Sequence, residues 1–172
     1  MEAASAEGKD REQRKERYIE LSRLSPGEFL GMAASLVLLG SLWLTWFTTD
    51  ADNENSRLAG ASGGEGVNAW EVFKIFDWVM VAACVAPFLL AWIVARGHKL
   101  SWKPGEVTMV VGITALVLVL CNGIILGRPG EGVNIGLGIG YLVALVGAAG
   151  MLVAGYLRQA FYSTARKPPG VI

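Results

Sequence analysis

Lys74, Asp77, Asn122 and Arg128 are the residues whose types could do chemistry together: one acid, two cations and one amide, each near the edge of a long apolar stretch. Brought to one place, they would form either a structural ion pair at a helix end or a polar mouth able to contact a ligand or partner. The other reactive side chains are poorly placed. Cys84 and Cys121 stand singly inside apolar stretches, whereas thiol–disulfide enzymes pair their cysteines in C-x-x-C spacing or in exposed loops, so both read as small packing residues. His98, the single histidine, lies among cations in "RGHKLSWK" with no second ligand nearby. "GLGIG" at 136–140 lacks the preceding strand that a phosphate-binding loop needs, and it falls inside an apolar segment. No catalytic residue, metal ligand or cofactor-binding residue is therefore assigned, no cofactor is expected, and the chain does not read as an enzyme.

The elements that must position these residues follow from composition. Hydrophobic residues make up 53% of the chain and charged residues 17%, and the charges are crowded into the ends and a few short segments. Four segments, at about 27–47, 76–95, 106–126 and 133–157, are almost free of charge. Each is long enough for a helix to cross a hydrocarbon core of about 30 Å at 1.5 Å per residue. As buried helices of a soluble domain, four such segments would leave almost no polar surface to cover them. The expected fold is all-α, a membrane bundle of four spans. No ionisable residue falls at the middle of a span, where proton relays and ion pathways keep theirs.

Orientation follows from the Lys and Arg residues. Lys9, Arg11, Arg14, Lys15, Arg17 and Arg23 precede the first span, Arg96, Lys99 and Lys103 separate the second and third, and Arg158, Arg166 and Lys167 follow the fourth. Only Arg57, Lys74 and Arg128 fall on the other side, so the positive-inside rule puts both termini in the cytoplasm. This divides the chain into a charged cytoplasmic segment at 1–25, the bundle at 26–158 with a long outer loop at 48–75, and a cytoplasmic tail at 159–172. "WLTWFTTDADNE" offers bulky residues where signal cleavage wants small ones, so the first span reads as an uncleaved anchor.

"GEGVN" occurs at 64–68 and again at 130–134, ahead of the second and fourth spans, while "PGE" opens the first at 26–28 and the third at 104–106. The matches occur in the same order in two successive hairpins of the same orientation. Gene duplication would explain this. Convergence would too: Pro and an acid suit any first helical turn, Gly suits any tight turn, and "NAWE" at 68–71 resembles an Asn-initiated capping box.

Placed at 100° steps, small residues gather on one side of every span: Gly31, Ala34, Ser35, Ser41 and Thr45; Ala83, Cys84, Pro87 and Ala91; Thr108, Gly112, Ala115, Asn122 and Gly123; and Gly136, Gly140, Gly147, Gly150 and Ala154. Small residues let helix backbones approach closely, which replaces the hydrophobic drive that lipid removes. The last stripe, with Leu145, Leu152 and Tyr156 opposite, suits one close neighbour, with intramolecular packing favoured over self-association. Asp77 falls on the second small stripe and Asn122 about one turn inside the third span. Trp43, Trp46, Phe47, Trp70 and Trp78 crowd the outer side as interfacial anchors. Trp70 stands apart, in the loop, as a candidate partner contact. "GASGGEG" reads as a flexible part of that loop.

With "LWLTWF", "AWEVFKIFD" and the Gly-rich fourth span in view, the chain resembles small four-span membrane proteins of unknown function encoded in high-GC actinobacterial genomes. In these a tryptophan-aromatic pair ends the first span and A-W-x-x-F-x-x-x-D opens the second. The resemblance covers the membrane region, implies residence in a bacterial cell membrane, and carries no activity. The expected function is a non-enzymatic scaffold or accessory subunit, in contact with the lipid bilayer and a protein partner in the membrane, with a homo-oligomer as a further arrangement and no nucleic acid. A small transport or channel component is the second expectation.

Overall fold

The computed structural model describes residues 24–96, 104–130 and 134–164. The N-terminal charged segment up to residue 23, His98 with the rest of 97–103, residues 131–133 where the fourth span was expected to begin, and the tail from 165 lie outside the described residues.

The chain enters its first helix, α1 (Pro26–Ser41), through Ser25 at the N-cap and Pro26 at the first helical position. There proline's missing N–H costs nothing and its fixed φ suits the helix. The backbone N–H of Ser25 donates to Glu28 Oε2 at 2.6 Å, closing the reciprocal cap on that side. α1 is 16 residues long, not the 21 expected for the first span. It stops because Thr45-Trp46-Phe47-Thr48 is a run of β-branched and aromatic residues, and these form β1 (Thr45–Thr48).

β1 is the centre of a three-stranded antiparallel sheet, flanked by β2 (Gly66–Asn68) and β3 (Gly136–Leu137). Phe47 faces Val67 on one edge and Leu137 on the other. The all-α expectation is corrected accordingly: the chain is mostly helical, and a small sheet lies at one end of its helices. The loop around "GASGGEG" is also built rather than loose, since Thr49 N and Oγ1 both donate to Glu65 O, and Gly64 N donates to Thr49 Oγ1 at 3.1 Å.

Asn68 ends β2 and caps the single-turn α2 (Ala69–Val72), its Oδ1 accepting from Glu71 N while Glu71 accepts from Asn68 N, as "NAWE" implied. Three further helices follow: α3 (Phe76–Ala95), with Pro87 inside it; α4 (Pro104–Leu120), extended by a π-helical turn at Cys121–Ile125; and α5 (Ile139–Thr164). Three helices, spanning Phe76–Ala95, Gly105–Ile125 and Ile139–Ala160, are apolar and long enough to cross a membrane, and Pro26–Ser41 is apolar but shorter.

α5 lies between α1 and α4. A Cβ built on Gly147 would meet the Leu38 backbone, one on Gly150 would meet Ala34, and one on Gly27 would meet Arg158, so α1 runs antiparallel to α5. Gly112 against Leu152, Gly155 against Met109 and Gly105 against Gln159 give α4 the same direction as α1. The four long helices, α1, α3, α4 and α5, meet at Gly31, where an added Cβ would lie 3.6 Å from Ala154 Cβ and from Thr108 Cγ2, and 3.8 Å from Pro87 Cβ. This is the close backbone approach that small stripes permit.

Two members of the expected stripes are not helical: Thr45 belongs to β1 and Gly136 to β3. The asparagines that end the two "GEGVN" segments also differ. Asn68 has φ −88° and starts a helix, whereas Asn134 sits at φ +64°, before β3, with its Nδ2 donating to Asp50 Oδ2 at 3.4 Å. Both "GEGVN" segments nonetheless lead to strands on opposite edges of β1.

Candidate functional site

The four polar residues expected to share the outer mouth are held separately. Asp77 lies in the first turn of α3, fully buried, with no hydrogen-bond partner for either carboxylate oxygen. Its place near the helix N-terminus, where no side chain caps the free amides, offsets part of the cost of burial. Lys74 is three residues earlier but exposed, and it does not bond Asp77. The Arg128 guanidinium donates to the carbonyl of Ile135, fastening the α4–β3 connection. Asn122 Nδ2 donates to Leu118 O at 2.8 Å within its own helix.

Asn122 belongs to the π-helical turn, where its φ of −88° and ψ of 24° break the regular ladder. A π turn leaves carbonyls of the preceding turn without their usual donors. Two side chains supply them: Asn122 reaches Leu118 O, and Tyr141 Oη donates to Val119 O at 2.9 Å from α5. Gly123 makes room for this, since a Cβ there would fall 2.5 Å from Tyr141 Cζ.

An aromatic plug fills the mouth instead. Trp46 and Phe47, read from sequence as interfacial anchors, are fully buried. They lie on β1, whose pairing with β2 is irregular between Thr45 and Phe47, and both are buried over the bundle's end. Trp46 Nε1 donates to Ser41 O at 2.7 Å, and its ring packs edge-on against Phe73, Phe76 and Tyr141 with centroids 5.7 to 6.1 Å apart. A Cβ on Gly140 would meet Trp46 Cδ1 at 2.7 Å, so the first glycine of α5 seats the plug.

Outside the plug, Trp70 stands between Trp43 and Trp78, at centroid distances of 5.5 and 5.8 Å. Trp43 and Trp78 are both more than half exposed, and Ile75 beside them is 80% exposed. The three indoles come from the turn between α1 and β1, from α2 and from the first turn of α3.

At the opposite end of the bundle lies a pair that sequence reasoning missed. Glu28 and Arg158 are both buried, with Arg158 Nη2 2.6 Å from Glu28 Oε1. Although Glu28 stands in the first turn of α1, it is buried, because Gly27 lets the start of α1 close against Ala154 and Arg158 of α5. The signal was present in the sequence: two opposite charges at the same expected membrane face, each continuing a small stripe by one turn.

Cys84 is buried, Cys121 is partly buried, and both are free thiols. Among the described residues no three side chains of His, Cys, Asp or Glu gather in a metal-binding group. An open groove of about 420 Å³, lined by Gly123, Arg128, Asn134 and Ile135 among others, runs beside the π turn. Searches of known protein families, curated proteins and solved structures give no significant match to this chain.

Proposed function

We propose that the chain is a four-span integral protein of a bacterial cell membrane, with both termini cytoplasmic, serving as a non-enzymatic scaffold or accessory subunit. It would belong with the small actinobacterial-type four-span proteins that its aromatic motifs resemble. α3, α4 and α5 cross the bilayer. α1, about 24 Å long at 1.5 Å per residue, completes its crossing through Leu42–Leu44 and β1. A strand is tolerable at that depth because β2 and β3 satisfy its backbone on both edges.

The observation that carries the scaffold role is the construction of the two ends. Helices in backbone contact rise to a sheet and an aromatic plug, and a buried ion pair closes the other end. Such a body suits presenting a fixed outer surface to a membrane partner. Purification from native membranes in mild detergent should bring down a stoichiometric partner, and the pure protein in liposomes should pass no solute.

Asp77 supports a second reading, a small transport or channel component, because buried acids without partners are uncommon outside ion pathways. Solute or ion flux through the reconstituted chain, lost in Asp77→Asn, would favour it over the scaffold role.

A further inference from the structure

We infer that the ridge of Trp43, Trp70 and Trp78, with Ile75, is sunk in the interfacial layer of the outer leaflet, so that the sheet-capped outer end sits partly in lipid rather than wholly in water. The inference rests on the membrane-spanning arrangement proposed above and names the partner of one part of its outer surface: phospholipid at the glycerol and headgroup level.

Two independent observations carry it. The first is length. α1 ends after 16 residues, about 24 Å, so a hydrocarbon core of about 30 Å does not end at Ser41. Leu42 to Thr48 must occupy the remainder and the start of the interface. Trp43 and Leu44 are exposed in that stretch, while Trp46 and Phe47 are buried. The exposed pair therefore faces the surroundings at bilayer depth.

The second is continuity. Trp78, Val79, Val85, Phe88, Leu89 and Trp92 are exposed along α3, and the indole ridge extends this apolar surface past the helix start onto α2. Trp92 at the other end of α3 lies under the Arg96 guanidinium, 4.4 Å from the ring centroid. An indole paired with a cation that reaches outward is the usual form of an interfacial anchor.

Lys74 is exposed between Trp70 and Trp78 in sequence and is free to extend its ammonium to lipid phosphate. Trp70, taken from sequence as a partner contact, lies between two indoles of the same ridge, and its buried Nε1 has no hydrogen-bond acceptor in the protein. Half-buried and packed on the core, it supports a lipid-facing foot whose exposed members are Trp43, Trp78 and Ile75.

The test uses the full chain in phosphatidylcholine vesicles whose acyl chains are brominated either near the glycerol or near the methyl end. Variants keep the buried Trp46 as an internal reference plus one of Trp43, Trp70, Trp78 or Trp92, with phenylalanine at the other tryptophan positions. The added emission from Trp43, Trp70 and Trp78 should fall by about half with bromine near the glycerol, less with bromine near the methyl end, and little with aqueous iodide. Quenching of the three by iodide and not by lipid, while Trp92 is quenched by lipid, would overturn the inference and leave the ridge as a water-facing docking surface for a protein. If Trp92 also escaped lipid quenching, the membrane-spanning arrangement would fail with it. Where a tryptophan variant does not fold, a nitroxide on Ile75→Cys, in a chain lacking Cys84 and Cys121, reads the same boundary. Collisions with oxygen should exceed those with an aqueous nickel chelate, and the reverse order would overturn the inference.

Discussion

Gly112 and Gly40 show how differently the same residue is used. A Cβ on Gly112 would lie 2.5 Å from Leu152 N and 2.9 Å from its Cα, so α4 and α5 touch backbone to backbone there, whereas nothing lies within 4 Å of a Cβ on Gly40. Gly112→Ala should lower stability by about 1–3 kcal/mol through forced separation of the helices, seen as an earlier thermal transition in detergent. Gly40→Ala should leave stability unchanged or raise it by up to about 1 kcal/mol, because only the backbone entropy of glycine is removed. Equal losses at both positions would contradict the packing. The Glu28–Arg158 pair gives a second residue-scale expectation. Arg158→Met alone should cost about 3–5 kcal/mol, since it strands a buried carboxylate, and adding Glu28→Gln should recover part of that loss. An additive double variant would remove the pair from the account of stability. Glycine stripes were legible in the sequence because they repeat at helical spacing; the ion pair joins residues 130 apart and needed the packing of α1 on α5 to be visible.

At the scale of elements, the helices were legible and the cap was not. Charge-free length identifies α3, α4 and α5, because a membrane-length apolar run has few other uses. The change from helix to strand at Thr45 was hidden because "LWLTWF" is as apolar as a span, and only its β-branched and aromatic composition distinguished it. β3, two residues long, exists because β1 offers it an edge, which no local pattern announces. The candidate polar mouth grouped Asp77, Asn122, Lys74 and Arg128 by membrane side, and side does not fix which neighbours a side chain meets: Asn122 and Arg128 each bond a backbone carbonyl, and Asp77 bonds none of the other three. The π turn makes an element-scale prediction. Gly123→Ala should destabilise through the Tyr141 ring, and Tyr141→Leu should destabilise by losing the bond to Val119 O and the ring packing. Together they should cost less than the sum of the two, with a coupling of about 1 kcal/mol or more in thermal or denaturant unfolding. Strict additivity would mean that Gly123 serves something other than the tyrosine.

At the scale of the whole molecule, α1 and α4 run the same way against α5, and both "GEGVN" segments feed the sheet at one end. The two hairpins are not equivalent, however. α4 and α5 touch through Gly112 and Gly155, while the close neighbour of α1 is α5 rather than its own hairpin partner α3. Convergent loop chemistry therefore explains the repeated letters at least as well as duplication, and the different backbones of Asn68 and Asn134 favour it. The central claim, a bundle crossing the membrane with its sheet-capped end outside, is tested most directly by cysteine accessibility. In a chain lacking Cys84 and Cys121, Ser62→Cys lies on the exposed outer loop and Lys99→Cys in the connection between the second and third spans. An impermeant maleimide should label Ser62→Cys in intact cells and Lys99→Cys only after lysis. Labelling of Lys99→Cys from outside, or protection of Ser62→Cys until lysis, would contradict that orientation.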